Sequence, residues 1–197
     1  MKTGLIVLAV IILIVIGAIG WAIGINNQLV GQEQLVNEKW AQVQNVYQRR
    51  ADLIPNLVET VKGYAAQERT VLEEVTKARA SVAGIKATPE LVNDPAAFQK
   101  FQQAQAELGG ALSRLLVTVE KYPDLKSNQN FLALQSQLEG TENRIAVERM
   151  RYSEAVRDYN TRIRLFPGSL VASLRGFKAK AYFEATPGSQ EPPKVKF

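Results

Sequence analysis

The chain opens with a block in which apolar and polar positions do not alternate at all. Residues Gly4 to Ile25, GLIVLAVIILIVIGAIGWAIGI, carry no charge and are apolar on every side. As a helix this run would be about 33 Å long at about 1.5 Å per residue, which matches a hydrocarbon core of about 30 Å. A soluble core helix needs one apolar stripe rather than an apolar circumference. A cleaved signal sequence would carry an apolar region of roughly 7–15 residues and then a small-residue cleavage site. This run is longer, and no convincing A-x-A follows it. The pattern therefore predicts a retained transmembrane helix. Trp21 lies near one end, where an amphipathic ring suits the interface, and Asn26, Asn27 and Gln28 form a polar exit.

From Leu29 onward apolar residues recur at intervals of three and four, the spacing of a packed helical seam. No strand-like alternation and no internal repeat is present. The first stretch runs from about Gln28 to Ala83, with Ile54, Val58, Val61, Ala65, Leu72, Val75 and Val82 on its seam. Pro55 interrupts it, and a proline inside a helix removes one hydrogen bond. With no Gly or polar cluster beside it, a kink in a continuous rod is preferred to a break. Ala87 to Pro95 reads as a loop closed by Asp94-Pro95, an N-cap followed by proline at the first helical position. The next helix runs to about Lys121, with Phe98, Phe101, Gln105, Leu108, Leu112, Leu115, Val119 and Tyr122 as its stripe. Gly109-Gly110 weakens it, and close helix packing is the usual reason for such a pair.

After the turn at Tyr122-Pro123-Asp124, a long helix is predicted from about Ser127 to Arg162. Its stripe includes Phe131, Leu134, Leu138, Ile145, Tyr152, Val156, Tyr159 and Ile163, and Glu142 and Arg149 on or beside it are read as a solvated edge in preference to half-buried pairs with neighbours across the bundle. Pro167-Gly168 breaks the pattern. Leu170, Leu174, Phe177 and Ala181 then return to helical spacing, with Arg175, Lys178 and Lys180 elsewhere. This short segment either packs across the bundle end or lies on a membrane surface. In the second case Arg175, Phe177, Lys178 and Lys180 are the candidate lipid contacts. The sum is an all-α chain: a transmembrane anchor (1–27), an elongated antiparallel helical bundle (28–185), and a flexible tail (186–197) too rich in Pro and polar residues to fold alone.

Composition narrows the chemistry. The chain has no Cys and no His. Disulfides, thiolate metal sites and Cys-based lipid anchors are excluded, and the commonest neutral-pH general base is missing. No phosphate-binding loop, metalloprotease helix, nucleophile elbow or calcium loop occurs. The sequence therefore predicts a non-enzymatic protein with no cofactor and no metal. The net charge of +5 is uneven. Asn26 to Asn143 holds 12 basic and 14 acidic residues, whereas Arg144 to Phe197 holds 11 basic and 5 acidic. With Glu148, Glu154 and Asp158 interleaved among the arginines, that excess reads first as a solvated face of mixed charge; the alternative is an anionic partner such as lipid. No nucleic-acid motif accompanies it, and nucleic acid is not expected as a partner.

Two further features bear on partners and placement. Gly17, Gly20 and Gly24 share one helical face, and small residues let membrane helices approach closely. They are the candidate self-association residues of the anchor. Leu132, Ala133 and Met150 lie off the main stripe of the long helix, where they either offer a second surface or are buried within a four-helix bundle. For orientation, Lys2 precedes the span, while Glu33 and Glu38 come before Lys39. That bias favours an inside N-terminus and a domain outside the cytoplasm.

Three stretches resemble the LemA family of bacterial membrane proteins. They are Asn26 to Glu68, with RRADLIPNLVETVKGY at its heart; Leu115 to Ile163, with EKYPDLK and LEGTENRIA; and FPGSLVA from Phe166, with YFE near the end. One departure is Ser153 in RYSEAVRDYN, where the family usually has Asn. The resemblance implies a single-pass membrane protein with an elongated helical bundle. It transfers no reaction and no ligand residues. Some relatives accompany membrane organelles or envelope-stress systems, which implies scaffolding. Two functions are thus expected of the chain: an interaction scaffold that binds itself or other envelope proteins, or a membrane-shaping oligomer whose basic C-terminal region touches the bilayer.

Overall fold

The computed structural model describes residues 2–183, with side chains from Gly4 onward. The tail expected at 186–197 lies outside the described residues. The described chain is helical, in the order α1 Lys2–Tyr64, α2 Arg69–Ala83, a 3-10 turn Pro89–Asn93, α3 Pro95–Val119, α4 Pro123–Lys126, α5 Gln129–Arg164 and α6 Gly168–Arg175. A segment without helix or strand, 177–183, follows. Helices α1, α2, α3 and α5 run up, down, up and down, which gives the antiparallel bundle that the seams require.

Helix α1 is continuous from the apolar run into the bundle, and its 63 residues include Pro55. The proline leaves the Ala51 carbonyl without its intrahelical donor. Arg79 of α2 supplies one, donating from Nε to Ala51 O at 3.0 Å. The rod survives because a neighbouring helix fills the gap that its proline opens.

The expected rod does not reach Ala83. It ends at Tyr64, and α2 starts afresh at Arg69. The turn is held by Tyr122, whose hydroxyl donates to Glu68 Oε1 at 2.7 Å and accepts from Gln67 Nε2 at 3.0 Å. Donating to a carboxylate raises the Tyr122 pKa above its usual value. The seam survives the turn because Ala65 is itself buried beside Val61.

Asp94 caps α3 as predicted, accepting from Ala96 N and Ala97 N, and Pro95 occupies the first turn. Asn128 caps α5 by accepting from Phe131 N at 3.0 Å. Every residue of the predicted α3 stripe is buried except Tyr122, which is half-buried. Close packing does not account for Gly109-Gly110: no atom lies within 4 Å of a Cβ built at Gly109, and at Gly110 only a flexible Arg114 nitrogen does.

The core falls into three clusters along the rod. The distal one gathers Ile54, Leu57, Val61, Leu72, Val75, Leu108, Leu115, Leu125 and Phe131. The middle one is aromatic, with Trp40 at its centre against Phe98, Phe101 and Tyr152 at ring separations of 5.5–5.6 Å. The third joins Ile25 and Leu29 of α1 to Val171 and Ala172 of α6. Between the first two sits Arg50, 3% exposed. It donates to Glu142 Oε1 at 2.9 Å and to both oxygens of Gln105, and lies 5.2 Å from the Tyr47 ring. Burial raises the Tyr47 pKa despite Arg149 and Arg50 nearby. The solvated edge expected at Glu142 and Arg149 is therefore corrected. Glu142 pairs across the bundle, and the Arg149 guanidinium stacks 4.4 Å from the Phe183 ring centroid.

Candidate membrane-proximal site

Helix α2 has only 15 residues and stops halfway down the bundle. The lower half is completed by the 3-10 turn and by the irregular segment 177–183. That segment lacks a helix or sheet to satisfy its backbone, so side chains do so. Tyr152 donates to Ala181 O at 2.8 Å, Tyr159 to Lys178 O at 3.1 Å, and Asn160 to Lys180 O at 2.9 Å. Lys180 N donates back to Asn160 Oδ1 at 2.9 Å, and Ala181 N to Val92 O at 2.9 Å. Burial holds the phenols of Tyr152 and Tyr159 well above their ordinary pKa, which keeps them as donors. Phe183 closes the strap against Phe98 at 5.0 Å and Tyr152 at 5.5 Å.

Two of the four candidate lipid contacts are used up here. Lys180 is 6% exposed. Its Nζ donates to Glu33 Oε1 at 2.6 Å and Asn93 Oδ1 at 2.7 Å. A buried ammonium needs such partners, and this one ties the strap to α1 rather than reaching lipid. Phe177 is half-buried and packs onto the middle and third clusters. The helical spacing that placed Phe177 and Ala181 beside Leu170 and Leu174 is also corrected. Helix α6 ends at Arg175, because Gly176 takes a left-handed φ of 76° that stops it. Arg175 and Lys178 are exposed. Arg175 donates from Nε to Asn26 Oδ1 at 3.2 Å.

The corner before α6 requires glycine. A Cβ at Gly168 would lie 2.2 Å from the Arg162 carbonyl oxygen. That close approach turns the chain so that Val171 and Ala172 face Ile25 and Leu29. Leu170 and Leu174, which packing of this stripe across the bundle end would bury, point outward at 54% and 79% exposed. Phe166 is 78% exposed, and its ring lies 6.4 Å from that of Trp21, itself 52% exposed. The sequence reading missed this apolar corner. The only signal for it was Pro167-Gly168, which resets the register of everything after it.

The anchor glycines lie where the pattern put them. Gly17, Gly20 and Gly24 share one flank of α1, roughly 100° around the axis from Ile25 at 3.6 residues per turn. Among the described residues, and apart from the adjoining turns of α1 itself, no atom lies within 4 Å of a Cβ built on any of the three. On α5, Leu132, Ala133 and Met150 are exposed. Among the described residues, no group of three or more acidic side chains is placed to hold a metal ion.

Residues 39–197 match the model of the LemA family. The chain is 28% identical to the magnetosome protein MamQ of Magnetospirillum gryphiswaldense (strain MSR-1), over 84% of this chain and 67% of that protein. The same figures hold for magnetosome protein MamQ 1 of Paramagnetospirillum magneticum (strain AMB-1). Protein LemA of Metamycoplasma hominis is 21% identical over 83% of this chain and 71% of its own length. With four-fifths of its length inside the family match, this chain belongs to the LemA family.

Proposed function

We propose that the protein is a membrane-anchored, non-enzymatic helical scaffold of the bacterial envelope that associates with itself and with other envelope proteins. One observation carries the reading: the apolar run Gly4–Ile25 and the bundle wall share one unbroken helix. A flexible linker would let a tethered domain wander. A continuous helix instead presents the bundle as a rigid post, with the residues of α1 beyond Ile25 extending about 60 Å from the anchor at about 1.5 Å per residue. The domain faces away from the cytoplasm in this reading, in line with the charge bias around the span.

Self-association is tested on the full chain in mild detergent by light scattering, beside the Gly20→Ile, Gly24→Ile double variant. The expected result is an oligomer at tens of micromolar that the double variant weakens. Cross-linking in native membranes extends the test to other proteins. A full chain that is monomeric in detergent, with no cross-linked product in membranes, would overturn the scaffold reading.

A further inference from the structure

We propose that the α6 corner is a second membrane contact, seated in the headgroup layer of an anionic leaflet, with Phe166, Leu170 and Leu174 entering the acyl boundary. The proposal rests on the anchor reading above and concerns a surface beyond the spanning helix itself.

Position is the first argument. Phe166 meets Trp21, and Arg175 meets Asn26. Both ends of α6 are thus tied to a stretch of α1 about 8 Å long at about 1.5 Å per residue. That stretch is where the apolar run gives way to polar residues, so α6 sits at the depth where an embedded span leaves the hydrocarbon. The interfacial layer on each side is about 5–8 Å thick.

Exposure is the second. Leu170 and Leu174 are four residues apart on α6 and share one face, and exposed Phe166 lies in the turn just before the helix begins. Leu170 and Leu174 lie on the side of α6 away from Val171 and Ala172, and among the described residues none covers them or Phe166. Large apolar side chains left open beside an apolar span form a patch continuous with that span, and the bilayer around the span is the surface that covers both.

Charge is the third. Between Tyr159 and Phe183 there is no acidic residue, and Trp21 to Gln32 holds no charge at all. Arg164 and Lys178 are exposed around the corner, with Arg175. The acid closest in sequence on α1, Glu33, is already paired with Lys180. Apolar side chains flanked by exposed cations are the chemistry that an anionic lipid surface attracts.

The absence of cysteine permits a direct test. Single cysteines at Leu174, at Ile12 in the span and at Val117 on α3 are labelled with an environment-sensitive fluorophore. The full-length variants are reconstituted in vesicles of phosphatidylcholine with phosphatidylglycerol. The Leu174→Cys label should emit to the blue of the Val117→Cys label and be quenched by lipids bearing nitroxide at the headgroup end. Quenching at Leu174→Cys should fall in pure phosphatidylcholine. It should also fall with Arg164→Gln and Lys178→Gln, since each basic residue near an anionic surface shifts such an equilibrium by about fivefold. A Leu174→Cys label as hydrated as that at Val117→Cys overturns the proposal. So does one that is dehydrated but not quenched by lipid, which would mean a second protein copy covers it. Ile12→Cys separates the two readings: if it is quenched and Leu174→Cys is not, the anchor stands and the second contact falls. If neither is quenched, both fall.

Discussion

Arg79→Met should destabilise the bundle through a bond that ordinarily would not exist. Pro55 cannot donate to the Ala51 carbonyl, and Arg79 Nε does so from the next helix at 3.0 Å. Methionine keeps most of the aliphatic stem and removes only the donor. A hydrogen bond from a charged group contributes about 1.5–3 kcal/mol when the lost partner is buried. Arg79 is half-buried, so water can partly replace it and the lower figure, about 1.5 kcal/mol, applies. For a chain of this size that corresponds to a drop in Tm of roughly 3–6 °C. Circular-dichroism melting of the full chain in mild detergent would read it.

The decisive comparison is the double-mutant cycle with Pro55→Ala. Alanine restores the N–H, and the Ala51 carbonyl then has its ordinary helical donor. In that background Arg79→Met should cost under about 0.5 kcal/mol, a coupling of about 1 kcal/mol. Equal losses in both backgrounds would mean that Arg79 acts by packing or by general charge. The account of how α1 passes its proline would then be wrong.

Gly109→Ala should raise stability by about 0.8–1.0 kcal/mol, because the residue is inside α3 with open space at its Cβ and glycine is a poor helix former; a loss in urea unfolding would show that the site needs its missing side chain. Tyr152 and Tyr159 have their pKa raised from an ordinary 10.0 by burial, so the stability they contribute is complete below pH 10 and is lost as pH rises through their folded-state values. Tyr152→Phe with Tyr159→Phe should therefore flatten the alkaline branch of a Tm-against-pH curve, while the wild type, which has no histidine, should stay nearly flat from pH 6 to 9; an unchanged alkaline branch would sink the assignment.

What was legible in the sequence was what neighbours along the chain decide. Asp94 caps α3 because its own carboxylate reaches Ala96 N and Ala97 N, two and three residues on. The α3 stripe was readable because one helix carries the whole period. The turn at 65–68 was not, since Val61, Ala65 and Leu72 keep their spacing across it and the groups that hold it come from Tyr122, more than fifty residues away. Lys180 shows the same limit for the candidate site. On paper it is one of five cations in an acid-free stretch; its burial depends on Glu33, Asn93 and Asn160, which come from three separate parts of the chain. Leu170 and Leu174 left two readings open, bundle end or membrane surface, for a related reason. Helical spacing says that residues share a face but not which way that face points, and the direction was fixed by the contact of Gly168 with Arg162.

These ties also decide whether the two proposed membrane contacts can coexist. The self-association flank of α1, at Gly17, Gly20 and Gly24, lies roughly 100° around the helix from Ile25. Ile25 faces α6. A pair of anchors closing along the glycines would therefore leave the α6 side of each helix open to lipid. Because α1 is unbroken and Lys180 fastens the strap to Glu33, rotation of the anchor rotates the bundle and the corner together. Packing the glycines would then fix the direction in which Phe166, Leu170 and Leu174 point as well as the spacing of the bundles. An anchor that associates through the glycine flank should thus hold its α6 corners outward, towards bulk lipid, and Leu174→Cys quenching should be the same in the oligomer and in the Gly20→Ile, Gly24→Ile variant. A rise in quenching on breaking the oligomer would mean that the corner is buried between copies, and that α6 belongs to the self-association surface rather than to the bilayer.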